Sequence, residues 1–432
     1  MAIVAGIVIG SGIFLVPKDI ARELASPAAA LAVWVVGAAL SLFGALSLAE
    51  LAAMFPGAGG LYTYLRTAYG DLAGFLYTWA FLLLINTASI ATLAVAFGIY
   101  SAELLQLSPA GQKAVAVACI LLLTFVNCLG VRAGKWVQNI FTLAKVSGIA
   151  VMCAVVFARR TPLEATATSF WPQGSLDLGG LTRFGVALVA VLWAYEGWAW
   201  VSFSGGEMKN PQRDIPRALF YGTLVVTAAY LAAALAYYTV LSVAEVAGSE
   251  RVAATAMTRL VGRPEASGAA DFISLLILTS IFGSINGTIL TGPRCYYAIA
   301  ADGLFFRAFA RLNPRSHTPV FAIVFQGLWA ALLAVLGTFE QLFTAVVFAA
   351  WISYAAVVGA VIVLRRKLPE QPRPYCVAGY PWLPALFILA SLGIVVSAAV
   401  SKPLHVGLAF ALILLGLPLY SLLRRGTTPR HS

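Results

Sequence analysis

The chain has 432 residues, of which 61% are hydrophobic and 10% are charged. A soluble protein carries about 25% charged residues, so this composition excludes a soluble enzyme and predicts a polytopic membrane protein. The formal net charge is +11, but the basic residues concentrate in alternate loops, as the positive-inside rule expects. We therefore expect contact with membrane lipid and no nucleic-acid partner.

The apolar segments predict an all-α integral membrane protein with about twelve transmembrane helices. No signal peptide precedes the first of them, so we expect a very short N-terminal tail or a start that lies upstream. In chain order, the predicted spans cover residues 1–24, 27–53, 71–104, 114–129, 136–158, 181–206, 216–240, 270–300, 319–337, 341–366, 382–400 and 404–423.

The distribution of basic residues predicts the orientation of these spans. Of the 28 Lys and Arg residues, seventeen lie in segments that are cytoplasmic if the N-terminus is inside, and ten lie in the opposite segments. The remaining one, Lys145, lies within the fifth span. This bias predicts that both termini are cytoplasmic.

Two longer loops are expected on the outer side, near residues 159–180 and 241–269. The second contains VAEVAGSERVAATAMTRLVG, an amphipathic pattern that predicts an interfacial helix covering one face of the protein. No large soluble domain is expected. We interpret residues 1–432 as a single transmembrane transporter domain.

The first span is interrupted in its middle. The sequence VIGSGIFLVP, residues 8–17, contains Gly10, Ser11 and Gly12, and a glycine costs about 1 kcal/mol relative to alanine in a helix interior. Lipid cannot satisfy the backbone groups that such a break releases. Alternatively, the three residues form a small-residue face against which another helix packs.

A second interruption lies five spans later. The sixth span contains LWAYEGWAWVSFSGGE, residues 192–207, in which Glu196 and several glycines interrupt an apolar run. Interrupted helices at corresponding positions of two halves point to a transport site near the membrane midplane. Residues 1–158 would then form one five-helix repeat and residues 181–366 the second, with two further helices at 382–423.

The two breaks suggest the chemistry of the ligand. A half-helix that begins after a break directs its positive end at an anion such as a carboxylate. The carbonyl groups released before a break suit an ammonium group. A site with both features fits the α-carboxyl and α-amino groups of an amino acid.

Two charged residues within spans need an explanation. A lysine at mid-depth costs a few kcal/mol, so Lys145 should face a cavity or a partner, unless it extends to the cytoplasmic edge. Glu196 is either paired with a structural partner or lies near the substrate ammonium, where it could also carry a proton. Asn86, Asn127 and Asn286 are candidates for hydrogen bonds between helices.

The cysteines and histidines predict no further chemistry. The five cysteines are odd in number and contain no CxxC pair, and the three histidines are scattered. We expect no disulfide framework, no metal site and no cofactor. No nucleophile and base are placed to form a triad, so an enzyme is not expected.

Several sequences together resemble the amino acid–polyamine–organocation permeases. They are VIGSGIFLVP, SLAELAAMFPGAGGLYTYLRTAYG, QNIFTLAKVSG, LWAYEGWAWVSFSGGEMKNPQRDIPRAL, FGSINGTILTGPR and RRKLPEQPRPYCVAGYPWLP. They extend over almost the whole chain, and the set is most similar to the L-type amino acid transporters and the bacterial alanine-serine-cysteine exchangers. The resemblance implies a five-plus-five inverted-repeat fold with helices 1 and 6 broken, alternating access, and a place in the plasma (inner) membrane.

The resemblance also implies which residues bind the substrate. The amides of Ser11 and Gly12 would meet the carboxylate, and the carbonyls of Val8, Trp193 and Glu196 would meet the ammonium. Trp193 would stand in the place of an aromatic gate, and Ser284 and Trp351 would border the side-chain pocket, with Ile281, Thr288 and Ala199 nearby. The full set implied is Val8, Gly10, Ser11, Gly12, Trp193, Ala194, Tyr195, Glu196, Ser284 and Trp351.

In this branch a lysine at the position of Lys145 fills the place where sodium binds in sodium-coupled relatives. The resemblance therefore implies sodium-independent transport, with either exchange or proton symport. Its ammonium would join the first and eighth helices without an ion.

Two departures from the family pattern are visible. The second break usually has a small residue where this chain has Glu196, which could favour a cationic substrate, move protons or narrow the pocket. The loop SAELLQLSPAGQK lacks the cysteine through which eukaryotic members join a heavy chain, so no disulfide-linked partner is expected.

The expected function is sodium-independent exchange of neutral L-amino acids. The alternatives are a proton-coupled permease, a cationic amino acid or polyamine permease, and a nutrient sensor that binds without transport. Short termini argue against the sensor.

Overall fold

The computed structural model describes residues 1–158, 170–171, 177–261 and 267–425, and within these ranges the chain is helical without a strand. The all-α prediction is confirmed. The α-helices are α1 (Ala2–Val8), α2 (Gly12–Glu23), α3 (Pro27–Met54), α4 (Leu61–Tyr69), α5 (Asp71–Ala80), α6 (Asn86–Leu105), α7 (Pro109–Cys128), α8 (Val131–Ala158), α9 (Leu178–Ala194), α10 (Pro211–Val240), α11 (Val243–Gly248), α12 (Val252–Val261), α13 (Ser267–Thr291), α14 (Pro293–Ala301), α15 (Val320–Leu336), α16 (Phe339–Lys367), α17 (Trp382–Ser401), α18 (Pro403–Leu414) and α19 (Gly416–Arg425).

The lengths and composition of these helices establish a multi-pass membrane protein. Among the described residues, ten helical segments are long and apolar enough to cross a bilayer, and the bent pair α1 and α2 makes an eleventh. The apolar helix α15 lies at the predicted ninth span but has only 17 residues. The number twelve therefore stays a prediction, as do the repeat boundaries.

The two halves of the first span lie at the centre of the bundle. Helix α1 packs against α8, α10 and α13, and α2 packs against α9. Helices α17 and α18 lie outside α16 and expose much of their apolar surface. In a bilayer that surface faces lipid, which is why these helices need no polar stripe.

Buried amides form hydrogen bonds between neighbouring helices. The Asn127 amide donates to Asn286 Oδ1 at 3.0 Å, and Asn286 donates to Gln138 Oε1 at 2.9 Å. Separately, the Asn86 amide donates to Gln326 Oε1 at 2.8 Å. The predicted role of these asparagines as bridges between helices is confirmed.

The loop 241–269 contains two short helices, α11 and α12, instead of one continuous helix. Ser242 and Glu245 form a capping box at the start of α11, which stabilises so short a helix. Lys18 on α2 forms an ion pair of 2.5 Å with Glu250, between α11 and α12. The interfacial position of this segment stays a prediction. The other predicted loop, 159–180, lies largely outside the described residues.

Candidate functional site

The first break separates α1 from α2 and bends the pair by 48°. It lies where the sequence places Gly10 and Ser11 between two apolar runs. A Cβ atom added to Gly12 would lie 2.7 Å from the Ala194 Cβ and 2.8 Å from the Ala194 Cα. Only glycine therefore allows the start of α2 to approach the end of α9 this closely.

This break leaves two amides free. The Gly10 amide donates to the Val8 carbonyl at 2.8 Å, and the Ser11 carbonyl accepts from Phe14 and Leu15. Within the described part of the chain, the amides of Ser11 and Gly12 have no hydrogen-bond partner. The start of α2 is therefore a site with unpaired donors, suited to an anion.

The second break follows α9. Its backbone turns at Gly197, where φ is +105°, and then continues as a 3₁₀ helix over Trp198–Glu207. A Cβ on Gly197 would lie 2.5 Å from Ile7 Cγ2, so glycine is needed both for the left-handed backbone and for the contact with α1. The two breaks therefore lie against each other, as their spacing in the sequence suggested.

A tyrosine on α10 joins the two breaks. The Tyr230 hydroxyl lies 2.7 Å from the Val8 carbonyl and 2.9 Å from the Ala194 carbonyl. The sequence analysis did not identify this residue. The available signal was a tyrosine within the alanine-rich run VVTAAYLAAALAYY, where a buried hydroxyl needs a partner.

Lys145 on α8 joins α1 to α13. Its ammonium donates to the Gly6 and Ile9 carbonyls at 2.9 and 2.6 Å and to the Ser280 carbonyl at 2.7 Å. It also lies 3.0 Å from Ser284 Oγ. The side chain is fully buried, which excludes its extension to the membrane edge. The contacts that the family resemblance implied are thus present.

The two breaks enclose a cavity. The cavity has a volume of about 50 Å³, several times the roughly 10–15 Å³ that one water needs. Seven residues that the resemblance implied lie in its wall: Val8, Gly10, Ser11, Gly12, Trp193, Ala194 and Glu196. The wall also includes Ile7, Ser89, Thr92, Leu93, Gly197, Trp200, Thr288 and Val346.

The two broken helices that the family resemblance implied are present and border a central cavity. The family model described as "Amino acid permease" matches residues 1–418. The chain belongs to this family. It is accordingly a permease and not an enzyme.

Relatives of the permease are amino acid transporters of the L-type and exchanger branch. The serine/threonine exchanger SteT of Bacillus subtilis (strain 168) is 33% identical over 97% of this chain and 94% of its own length. The human large neutral amino acids transporter small subunit 2 is 32% identical over 97% of this chain and 78% of its own. The human cystine/glutamate transporter is 29% identical over 98% and 83%, respectively. Their substrates differ, so similarity alone does not assign one to this permease.

Three residues implied as binding residues lie outside the cavity wall. The Tyr195 ring packs edge-on against Trp34 and Tyr230. Ser284 Oγ lies 3.2 Å from the Gly6 carbonyl and 3.1 Å from the Ile9 carbonyl, within the Lys145 cluster. Trp351 is 1% exposed. In this conformation these three side chains pack around the site and do not line the cavity.

Trp193 and Glu196 border the cavity from the second break. The Trp193 ring lies edge-on to Phe343, with 5.0 Å between ring centroids. The Tyr354 hydroxyl on α16 donates to Glu196 Oε1 at 2.6 Å. The Tyr354 ring is held between Trp198 and Trp351, with centroid distances of 5.2 and 5.9 Å. The carboxylate of the permease is thus fixed by an aromatic cluster.

Two of the three carbonyls that were expected to meet the ammonium, those of Val8 and Trp193, already have partners. The Val8 carbonyl accepts from Gly10 and Tyr230, and the Trp193 carbonyl accepts from the Glu196 amide at 2.9 Å. A carbonyl oxygen has two lone pairs. Both positions on the Val8 carbonyl are therefore taken.

The described residues contain no group of three or more His, Cys, Asp or Glu side chains that could hold a metal ion. The charged and polar groups of the site are instead the amides at the first break, Lys145 and Glu196.

Proposed function

We propose that the permease exchanges small neutral L-amino acids across the plasma (inner) membrane, without sodium, by alternating access. The observation that carries the proposal is the pair of unpaired amides, on Ser11 and Gly12, at the start of α2 in the cavity wall. Free amides at a helix start bind carboxylates through hydrogen bonds and the helix dipole. An α-carboxylate is the group that all amino acids share.

The size of the cavity supports a small substrate. Its 50 Å³ leaves room for a few non-hydrogen atoms beyond the carboxylate. The relative SteT, whose name describes a serine/threonine exchanger, also supports exchange of small amino acids.

The position of Lys145 supports transport without sodium. Its ammonium already binds carbonyls of α1 and α13. A second cation at the same carbonyls would be repelled by the ammonium and would find few free lone pairs. A fixed charge therefore takes the place of a bound ion.

The proposal includes the topology of the chain. Two broken helices in matching positions support a five-plus-five inverted repeat over residues 1–158 and 181–366, with residues 382–423 added. The bias of Lys and Arg residues supports cytoplasmic termini.

We also propose that the permease works without a disulfide-linked heavy chain. One relative is named a small subunit, which raises the question of a partner. The loop between α6 and α7 has no cysteine. The nearest cysteines, Cys119 and Cys128, lie on α7 within a predicted span.

Counterflow in proteoliposomes tests the proposed function. Vesicles with purified permease and internal unlabelled alanine or serine should accumulate the labelled amino acid, with and without sodium. Empty vesicles and vesicles without internal amino acid are the controls. Uptake that requires sodium would contradict the sodium-independent mechanism, and no uptake of any amino acid would contradict transport.

One observation favours a second candidate function. Glu196 places a carboxylate beside the cavity, and a carboxylate can pair with a cationic side chain or carry a proton. The permease would then be a proton-coupled or a cationic amino acid or polyamine transporter. Uptake of arginine and putrescine in preference to alanine, or uptake driven by an imposed pH gradient alone, would establish this alternative.

A further inference from the structure

Three of the four hydroxyl groups in the cavity wall use their protons within their own helices, and the fourth, on Ser11, has no hydrogen-bond partner among the described residues. Ser89 donates to the Ile85 carbonyl at 2.6 Å, and Thr92 donates to the Ala88 carbonyl at 2.7 Å. Thr288 on α13 donates to the carbonyl four residues earlier at 2.9 Å. A hydroxyl has one proton and two lone pairs. These three side chains can therefore offer only lone pairs to a ligand.

The carboxylate of Glu196 adds acceptor oxygens that carry more negative charge than a hydroxyl oxygen. Its Oε1 accepts from Tyr354, while Oε2 is closed to solvent and has no hydrogen-bond partner among the described residues. A buried carboxylate oxygen without a donor is costly. A ligand that brings a donor would remove that cost.

The Glu196 carboxylate and the free amides are held by different helices. Tyr354 holds the carboxylate toward α16, the helix that also contributes Val346 to the wall. The free amides of Ser11 and Gly12 lie at the start of α2. A substrate whose carboxylate binds those amides keeps its α-ammonium, one carbon away, near the breaks. The side chain reaches farther from the α-carbon than the α-ammonium does, so it is the group assigned to Glu196.

We propose that Glu196 selects neutral substrates whose side chains carry a hydrogen-bond donor, such as a hydroxyl, over apolar side chains of the same size. The inference rests on the proposed function and makes it more specific. The hydroxyl oxygens of Ser89, Thr92 and Thr288 in the wall can accept hydrogen bonds from the same donor. An apolar side chain of equal volume would leave Glu196 Oε2 unpaired.

The test compares pairs of amino acids that differ by one donor. Serine is compared with 2-aminobutyrate, threonine with valine, and 2,4-diaminobutyrate with norvaline. Affinity is measured both by thermal stabilisation of the purified full chain in detergent and by inhibition of counterflow. A hydrogen bond to a charged group predicts a preference of at least about tenfold for the donor-bearing member of the serine and threonine pairs. The diaminobutyrate pair shows whether an ammonium is accepted as well as a hydroxyl.

The variant Glu196→Gln keeps the shape of the side chain and removes its charge. The preference for serine over 2-aminobutyrate should fall toward onefold, while the affinity for alanine stays within about twofold. The matched control is Glu370→Gln, an exposed glutamate beyond α16, which should change neither affinity. If Glu196→Gln lowers the affinities for alanine and serine equally, the carboxylate binds the α-ammonium and the proposal is wrong.

The wild-type measurements alone decide the proposal if the variant does not fold. Equal stabilisation by the two members of the serine and threonine pairs would refute it. Selective stabilisation without counterflow would refute transport and leave the recognition in place. Stabilisation by none of these amino acids would refute both proposals.

Discussion

Gly12 is the position where the packing of the two broken helices is tightest. A methyl group at this position would lie 2.7 Å from the Ala194 Cβ and 2.8 Å from the Ala194 Cα. Carbon atoms in contact are normally about 3.5–4.0 Å apart, so in Gly12→Ala the two helix ends must separate by about 1 Å. The atoms met belong to a short side chain and to backbone, which cannot rotate away.

We expect this separation to weaken substrate binding. Inserting a methyl group into a packed site costs about 1–3 kcal/mol, which corresponds to about 5- to 150-fold in affinity when it acts on the bound state. The amides of Ser11 and residue 12 remain, but they no longer face the end of α9 at the same distance. Counterflow of labelled alanine and thermal stabilisation by alanine measure the loss.

Gly185→Ala is the matched control. Gly185 lies on α9, and no atom lies within 4 Å of an added Cβ, so this variant should be neutral or slightly stabilising. Both variants should be extracted from the membrane in similar amounts. Wild-type affinity and counterflow in Gly12→Ala would refute the argument that glycine is required there for the approach of α2 to α9.

Three further results are expected. Lys145→Met should abolish most counterflow, since it removes the ammonium that joins α1 to α13, and added sodium should not restore the rate; full activity would contradict the role of the ammonium. Tyr230→Phe removes one hydroxyl and should destabilise the fold by about 1–3 kcal/mol, measured by thermal unfolding, whereas an unchanged unfolding midpoint would show that the Val8 carbonyl finds another donor. The hydrogen bond and charge of Lys18 lower the pKa of Glu250, so their pair is present at pH 7 and is lost as the pH falls through that lowered pKa. Because the Glu250 side chain is 76% exposed, the pair contributes at most about 1 kcal/mol, and Glu250→Gln should change thermal unfolding slightly at pH 7 and progressively less as the pH falls below the ordinary range of a glutamate; a change that grows as the pH falls would contradict this.

The relation between the two breaks could be predicted from the sequence only in part. Glycines in two apolar spans at matching positions indicated where the helices end. That the ends touch is decided by Gly12 against Ala194 and by Gly197 against Ile7. Contacts between residues about 180 positions apart depend on how whole helices pack, and local patterns contain no information about that.

The roles of the polar side chains could likewise be predicted from the sequence only in part. A lysine at mid-depth had to have a partner, because lipid offers none, and the structure supplies the carbonyls of α1 and α13. The sequence did not identify Tyr230, Ser89 or Thr92, because a hydroxyl in an apolar helix usually bonds to its own backbone and gives no sign of which helix or cavity it faces.

By itself, the sequence determined that this protein lies in a membrane and is all-α, and it predicted two interrupted helices and a lysine at mid-depth. These follow from composition and from the cost of glycine and charge in lipid, which act residue by residue. Only the tertiary structure decided that α1 is held by Lys145 and Tyr230 and that the Glu196 carboxylate bonds to Tyr354 with one oxygen unpaired. Hydrogen bonds between distant helices depend on distances of a few tenths of an ångström, and those are fixed only when the helices have packed.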